Sequence, residues 1–249
     1  MGILKCPGQD RRFWKPGDIF ETDCPSCGQK IEFWKDDVRQ KCAGCGKEVL
    51  NPRLDLACAQ WCQYAEKCLE GLSLEERITA EAFGVFRQSP ARMEHTLAVL
   101  RYAREILAAE GGDAQVVVAA ALLHDIGIMQ AESKYQSSEG CYQEKEGSAI
   151  AREILTRLGV DEKVIDEVAE IVAHHHTRPR MTSPNARIIW DADLLANINE
   201  KPVKPNWDDA APLFLTETGT KLLEKLIKPN RPACRQAGKN AKSAKKNEP

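Results

Sequence analysis

A chain of 249 residues, with 35 basic side chains against 37 acidic ones, has almost no net charge, so bulk electrostatics gives no reason to expect nucleic acid or a membrane surface as a partner. Its longest wholly apolar run, Val116 to Leu123, is far short of the roughly 20 residues of a membrane span. The opening MGILKCPGQDRRFW also lacks the apolar stretch of a secretory signal, so a cytoplasmic protein is expected, in which ten cysteines read as metal ligands rather than disulfides.

Residues 1–72 hold most of those cysteines. Cys24-Pro-Ser-Cys27-Gly28 and Cys42-Ala-Gly-Cys45-Gly46 are two copies of one device. A C-x-x-C pair followed by glycine forms a tight knuckle with both sulfurs on one side, and the glycine lets the backbone turn back. The intervening segment predicts a hairpin of KIEFW, a turn at residues 35–37, and VRQK. Four thiolates gathered in this way suit zinc in a closed tetrahedral site without an open position for chemistry. The pattern resembles a zinc ribbon. Cys6, Cys58, Cys62 and Cys68 form a second candidate set, for a second zinc or an iron–sulfur cluster. Trp14, Trp34 and Trp61 offer a binding face, but a module this small needs its large apolar residues for its own core. A docking role towards a protein partner is the expectation, and nucleic acid is not.

Residues 73–227 are punctuated as helices. Ser73-Leu-Glu-Glu76 is a capping box opening a helix that runs to about residue 88. Ser89-Pro90 starts a second, which ends at Gly111-Gly112. Asp113 caps a third, AQVVVAAALLHD, apolar on every side and therefore buried. Residues 127–143 read as a loop, 144–158 as a fourth helix, and a fifth begins after Asp161 and runs into His174-His175-His176. Ser183-Pro184 opens a sixth, and residues 213–227 make a seventh. The domain is expected to be all-α, so the chain is mainly α with a small β-hairpin module in front. The last 22 residues, 228–249, are strongly basic and too poor in apolar residues to fold.

All five histidines lie in the helical part. His124 and Asp125 follow directly on VVVAAALL, and an ionised carboxylate beside an imidazole at a buried helix end is costly unless paired or bound to metal. A set of histidine and carboxylate ligands favours manganese, iron, cobalt, nickel or magnesium over structural zinc.

The succession RMEHTLAVLRYA, ALLHDIGI, EIVAHHH and WDADLLANI, on successive predicted helices over roughly residues 89–200, resembles the HD-domain metal-dependent phosphohydrolase superfamily. The resemblance implies that His95, His124, Asp125 and Asp193 hold a divalent cation that activates water against a phosphate ester. Asp191 competes with Asp193, but residues two apart on a helix point about 200° away from one another. The family context Ala-Asp-x-Leu favours Asp193. Two departures stand out. Gly127-Ile128 replaces the Gly-Lys of many relatives, and Gln143 stands where two-metal versions carry a further histidine. A mononuclear site is therefore expected.

Phosphate contacts are expected from Arg92, which shares a helix face with His95, and from His174 or His175, Lys134 and Arg178. Asp125 would double as the base, beside His124. The function so read is hydrolysis of a nucleotide or other small phosphate ester. Its rivals are a non-haem iron oxygenase on the same fold and a non-catalytic nucleotide sensor that docks through the ribbon.

Overall fold

The computed structural model describes residues 14–52, apart from 25, 36 and 38, together with residues 72–227. Cys6, Cys58, Cys62, Cys68, Trp61, Cys234 and the basic tail lie outside the described residues.

The N-terminal part is two hairpins rather than one. Strand β1 (Ile19–Asp23) pairs antiparallel with β2 (Lys30–Trp34), with Phe20 opposite Phe33. Strand β3 (Arg39–Lys41) pairs with β4 (Glu48–Leu50). The predicted ladder between KIEFW and the following strand does not form. Each C-x-x-C knuckle is instead the turn of its own hairpin. Cys24 N–H donates to Gln29 O and Gly28 N–H returns to Cys24 O, and Cys42, Lys47 and Gly46 repeat the pattern. Gly28 and Gly46 have φ of 73° and 71°, the left-handed conformation that a side chain would disfavour. A closed knuckle turn joins the strands on either side of it, and this sets the pairing although β2 stands nearer to β3 in sequence. The core of this unit is Cys24, Ile31, Phe33 and Cys42, with Phe20 and Val49 against it.

Helix α1 (Leu74–Phe86) starts in the predicted capping box, Ser73 and Glu76 exchanging hydrogen bonds. Arg39 of β3 donates to the same Glu76, Nε to Oε1 at 2.8 Å, which ties the hairpin unit to the first helical turn. Then follow α2 (Pro90–Glu110), α3 (Ala114–Leu123), α4 (Ile128–Tyr135), α5 (Gly140–Arg157), α6 (Glu162–Val172) and α7 (Pro184–Glu200). A short α8 (Trp207–Ala210) leads to α9 (Glu217–Ile227).

Two segments depart from the sequence reading. The stretch expected as a loop over 127–143 contains α4, stopped by Gln136 in the left-handed conformation, and α5 begins at Gly140 rather than 144. Glu132, Lys134 and Tyr135 make α4 polar on its outer side, which hid its single buried residue, Ala131. The last helix starts at Glu217 rather than 213, because residues 211–213 form a 3-10 turn.

Helix α3 is the axis of the domain. Asp113 caps its N-terminus by accepting from Gln115 and Val116 N–H. Val116, Val117 and every residue from Ala119 to Leu123 are buried, and α2, α6 and α7 pack around it. Residues 114–135, α3 and α4 with the turn between them, are together long and apolar enough to resemble a membrane span, but the apolar side chains of α3 line the domain interior. The C-terminus of α3 therefore ends inside the protein, with His124 and Asp125 as its first non-helical residues.

Candidate metal centre

The four thiols of the hairpin unit converge. Cys24 Sγ lies 3.7 Å from Cys45 Sγ, and Cys27 Sγ lies 3.6 Å from Cys42 Sγ. Sulfurs at the corners of a tetrahedron with metal–sulfur bonds of about 2.3 Å stand roughly 3.8 Å apart, so the spacing fits one tetrahedral ion. Backbone N–H of Ser26 draws the Cys24 thiol down to about 7. Cys27 goes up to about 12: its sulfur faces those of Cys42, Cys45 and Cys24, which outweighs the donor from Gln29. Four thiols this close cannot all ionise without a cation among them.

In the helical domain, four elements meet beyond the end of α3. His95 comes from α2, His124-Asp125 from the turn after α3, His175-His176 from the turns after α6, and Asp193 from α7. Close packing fixes that turn: a Cβ on Gly127 would stand 2.3 Å from Gly147 N and 2.4 Å from Gln143 O of α5. Only glycine lets the backbone after Asp125 approach α5 so closely.

His124 is buried, and its Nδ1–H donates to Ala121 O at 2.9 Å. His175 is also buried and donates from Nδ1 to Val172 O at 2.8 Å. Both Nε2 atoms are thereby aimed inward, and neither has a hydrogen-bond partner. They flank Asp125, His124 Nε2 being 3.5 Å from Oδ2 and His175 Nε2 3.4 Å from Oδ1, near the carboxylate without meeting it as a hydrogen bond. Asp193 Oδ1 lies 3.0 Å from His95 Nε2 and 3.8 Å from His124 Nε2.

The electrostatics follow from this crowding. Burial acts to raise the Asp125 carboxyl, but the imidazoles of His124, His175 and His95 overrule it and hold it well below the usual carboxylate range. Asp193 behaves likewise, burial being outweighed by the His95 hydrogen bond. Burial pushes His124 down. His95 goes up to about 9: burial opposes protonation, but Asp193 and Glu200 grip both ring nitrogens. For His175, the adjacent Asp125 more than offsets burial and raises it.

A divalent cation fits this arrangement. Ligand atoms of His95, His124 and Asp125 lie within 4.8 Å of one another, as do those of Asp125, His175 and His176. Two buried ring nitrogens have no partner, and ionised carboxylates stand beside them. Nitrogen and oxygen donors without sulfur suit the harder divalent metals.

The two competing aspartates are separated by the fold. Asp191 is fully buried on the opposite side of α7 from Asp193. It accepts from Leu215 N–H and Thr216 N–H, both at 2.8 Å, and from Thr216 Oγ1 at 2.6 Å, which holds the chain entering α9. Burial raises its carboxyl to about 6.

The residues expected at phosphate fare unevenly. Arg92 is turned to Glu132, Nη2 to Oε1 at 2.6 Å, with Nη1 also on Met129 Sδ. Lys134 pairs with Glu146 at 2.6 Å. Arg178 donates to Pro212 O, and His174 Nδ1 to Glu170 O at the outer side of the helix end. Of the three successive histidines, His175 and His176 reach the cluster. The sequence reading did not single out Asn197 or Glu200, named His176 only as one of the three successive histidines, and read Gln143 only as the place of a missing histidine. Asn197 Nδ2 donates to Asp193 Oδ1 at 2.8 Å, and Gln143 Oε1 is 3.3 Å from His176 Nε2. Spacings of four and seven residues from Asp193 would have flagged Asn197 and Glu200.

Fold and donor set define an all-helical domain with a histidine–carboxylate centre at the buried end of its central helix. Residues 92–198 match the family model described as HD domain. The chain is also similar to a solved structure, a predicted HD superfamily hydrolase from an uncultured Thermotogales bacterium, at 30% sequence identity over 61% of this chain and 83% of that one, with a TM-score of 0.47. No curated protein matches the chain. By this agreement in sequence, the chain belongs to the HD superfamily, whose members are metal-dependent phosphohydrolases at the level of the superfamily.

Proposed function

We propose that the helical domain hydrolyses the phosphate ester of a nucleotide or another small molecule, with a divalent metal held by His95, His124, Asp125 and Asp193. The pair of partnerless buried nitrogens, His124 Nε2 and His175 Nε2, on either side of Asp125 supports this reading most strongly. Such pairs are rare in protein interiors because each costs about 1–3 kcal/mol of desolvation.

When bound, the metal would polarise a phosphoryl oxygen and lower the pKa of a water. The chain supplies the rest. Asp125 stays ionised at neutral pH, so its carboxylate can accept the proton of an attacking water. The Ala121 and Val172 carbonyls hold the Nδ1 protons of His124 and His175 and leave Nε2 facing the centre. Arg92 and Lys134 are already engaged by Glu132 and Glu146, so neutralisation of the phosphate falls mainly to the centre itself. The four ribbon thiols would hold zinc and serve folding, and the same module would offer a docking face to a protein partner.

A second reading has its own observation. Asp125, His175 and His176 form a further donor group that shares the Asp125 carboxylate with the first, so a second cation is better supported by the geometry than by the sequence, where Gln143 argued for one. Two irons per chain would favour the oxygenase alternative.

Metal analysis of the purified chain, followed by a panel of nucleotides and p-nitrophenyl phosphate with manganese, nickel and cobalt, tests the proposal. Turnover that disappears in His124→Ala and Asp125→Ala, while ribbon zinc persists, is the expected result. Full retention of a non-zinc metal in both variants would remove the proposed site, and no turnover by a metal-loaded chain would favour the nucleotide sensor.

A further inference from the structure

His95 is held differently from the other inward-facing imidazoles. His124 and His175 stand just past the ends of α3 and α6, where the last carbonyls of a helix have no main-chain partner and can accept a ring proton. His95 lies inside α2, where the ladder already engages each carbonyl. Its acceptor has to come from another element, and α7 provides it.

Glu200, the last residue of α7, places Oε1 2.9 Å from His95 Nδ1, while Asp193 Oδ1 is 3.0 Å from Nε2 of the same ring. Asn197 lies four residues after Asp193 and Glu200 seven, so the three share one face of the helix. Asn197 Nδ2 donates to Asp193 Oδ1 at 2.8 Å and to Asp193 O at 3.0 Å. Lys204 Nζ then binds Ile198 O, Asn199 O and Lys201 O at 3.0, 2.8 and 3.0 Å, which fixes the helix end that carries Glu200. A stray surface ion pair would leave its histidine exposed, but the His95 side chain is only 12% exposed.

We propose that Glu200 is a positioning residue for the metal centre: it keeps the His95 proton on Nδ1 and thereby presents Nε2 as the ligand atom. The inference rests on the reading of His95 as a ligand. A carboxylate behind a ligating imidazole fixes the ring and its tautomer and makes it more basic. Asn197 does the corresponding work for Asp193, restraining the oxygen that faces His95.

The test is a Mn²⁺ titration of the full chain, with free ion read by electron paramagnetic resonance, beside thermal melting of the metal-free protein. Manganese suits nitrogen and oxygen ligands and avoids the thiolates. Glu200→Ala should weaken Mn²⁺ binding about 10- to 100-fold, the range for outer-shell partners, with only a small fall in the metal-free melting temperature, because Glu200 is half exposed at a helix end and Asp193 keeps its hold on Nε2. Glu200→Gln keeps an acceptor for the Nδ1 proton and should recover part of the loss. Wild-type affinity in Glu200→Ala would overturn the inference while leaving the site standing. So would equal losses in both variants accompanied by a large fall in metal-free stability, since that pattern is structural. A His95→Ala control that binds Mn²⁺ like wild type would instead overturn the reading of His95 beneath it.

Discussion

Asp191 and Asp193 differ by two positions on α7, and the same isosteric change at each should produce different phenotypes. The two oxygens of Asp191 accept three hydrogen bonds, one on Oδ1 and two on Oδ2. An asparagine can keep the two on its amide oxygen, but its NH₂ must then face Leu215 N–H. Losing one bond to a charged acceptor and stranding one buried donor costs about 3–5 kcal/mol. The carboxyl, raised to about 6, is itself disfavoured as an anion by burial, and removing that charge returns about 2–3 kcal/mol. Asp191→Asn should therefore cost about 2 kcal/mol, a fall of about 4–8 °C in melting temperature for a domain of this size, with Mn²⁺ affinity nearly unchanged. Asp193→Asn should weaken Mn²⁺ binding by more than the roughly 100-fold expected for an outer-shell change, with the metal-free melt lowered at neutral pH by the hold it loses on His95. Calorimetry and Mn²⁺ titration of both variants decide the matter. If Asp191→Asn lost the metal at unchanged stability, the assignment of the two faces of α7 would be wrong.

Gly127→Ala should destabilise by about 3 kcal/mol or more, because its Cβ meets main-chain atoms of Gln143 and Gly147 that cannot rotate away; urea unfolding measures it, and a neutral result would contradict the close approach of the two segments. His95 goes up to about 9 in the metal-free protein, so its contribution to stability is complete below about 6.5 and is lost as pH rises through 9, about 3 kcal/mol in all. Bound metal needs the proton off Nε2, so Mn²⁺ affinity should rise over that same interval while the metal-free melt falls, and parallel pH series of both would show it. A fragment of residues 73–227 should fold, bind Mn²⁺ and turn over a generic phosphate ester, although it loses the Arg39–Glu76 contact; circular dichroism and metal analysis check this, and an unfolded fragment would mean that the N-terminal part completes the helical core.

Local features carried most of the architecture into the sequence. The capping box at Ser73, the proline starts at 90 and 184, and the all-apolar α3 each concern residues within a few positions of one another, where spacing and side-chain type determine the outcome. The knuckle glycines and the His124-Asp125 pair at a buried helix end were legible for the same reason. What the sequence could not decide was which distant partner each group meets. Both knuckles were visible, but whether β2 pairs forwards or backwards depends on competition between ladders. Arg92 lies one turn from His95, yet Glu132, forty residues on, takes its guanidinium. Three successive histidines look alike in sequence, and only the packing of α5 and α6 turns His175 inward, brings His176 to Gln143 and leaves His174 on Glu170. Nor did the sequence show that Glu200 stands behind His95, 105 positions earlier. Such pairings depend on how the helices cross, and side-chain reach across an interface is set by tertiary packing rather than by any local pattern.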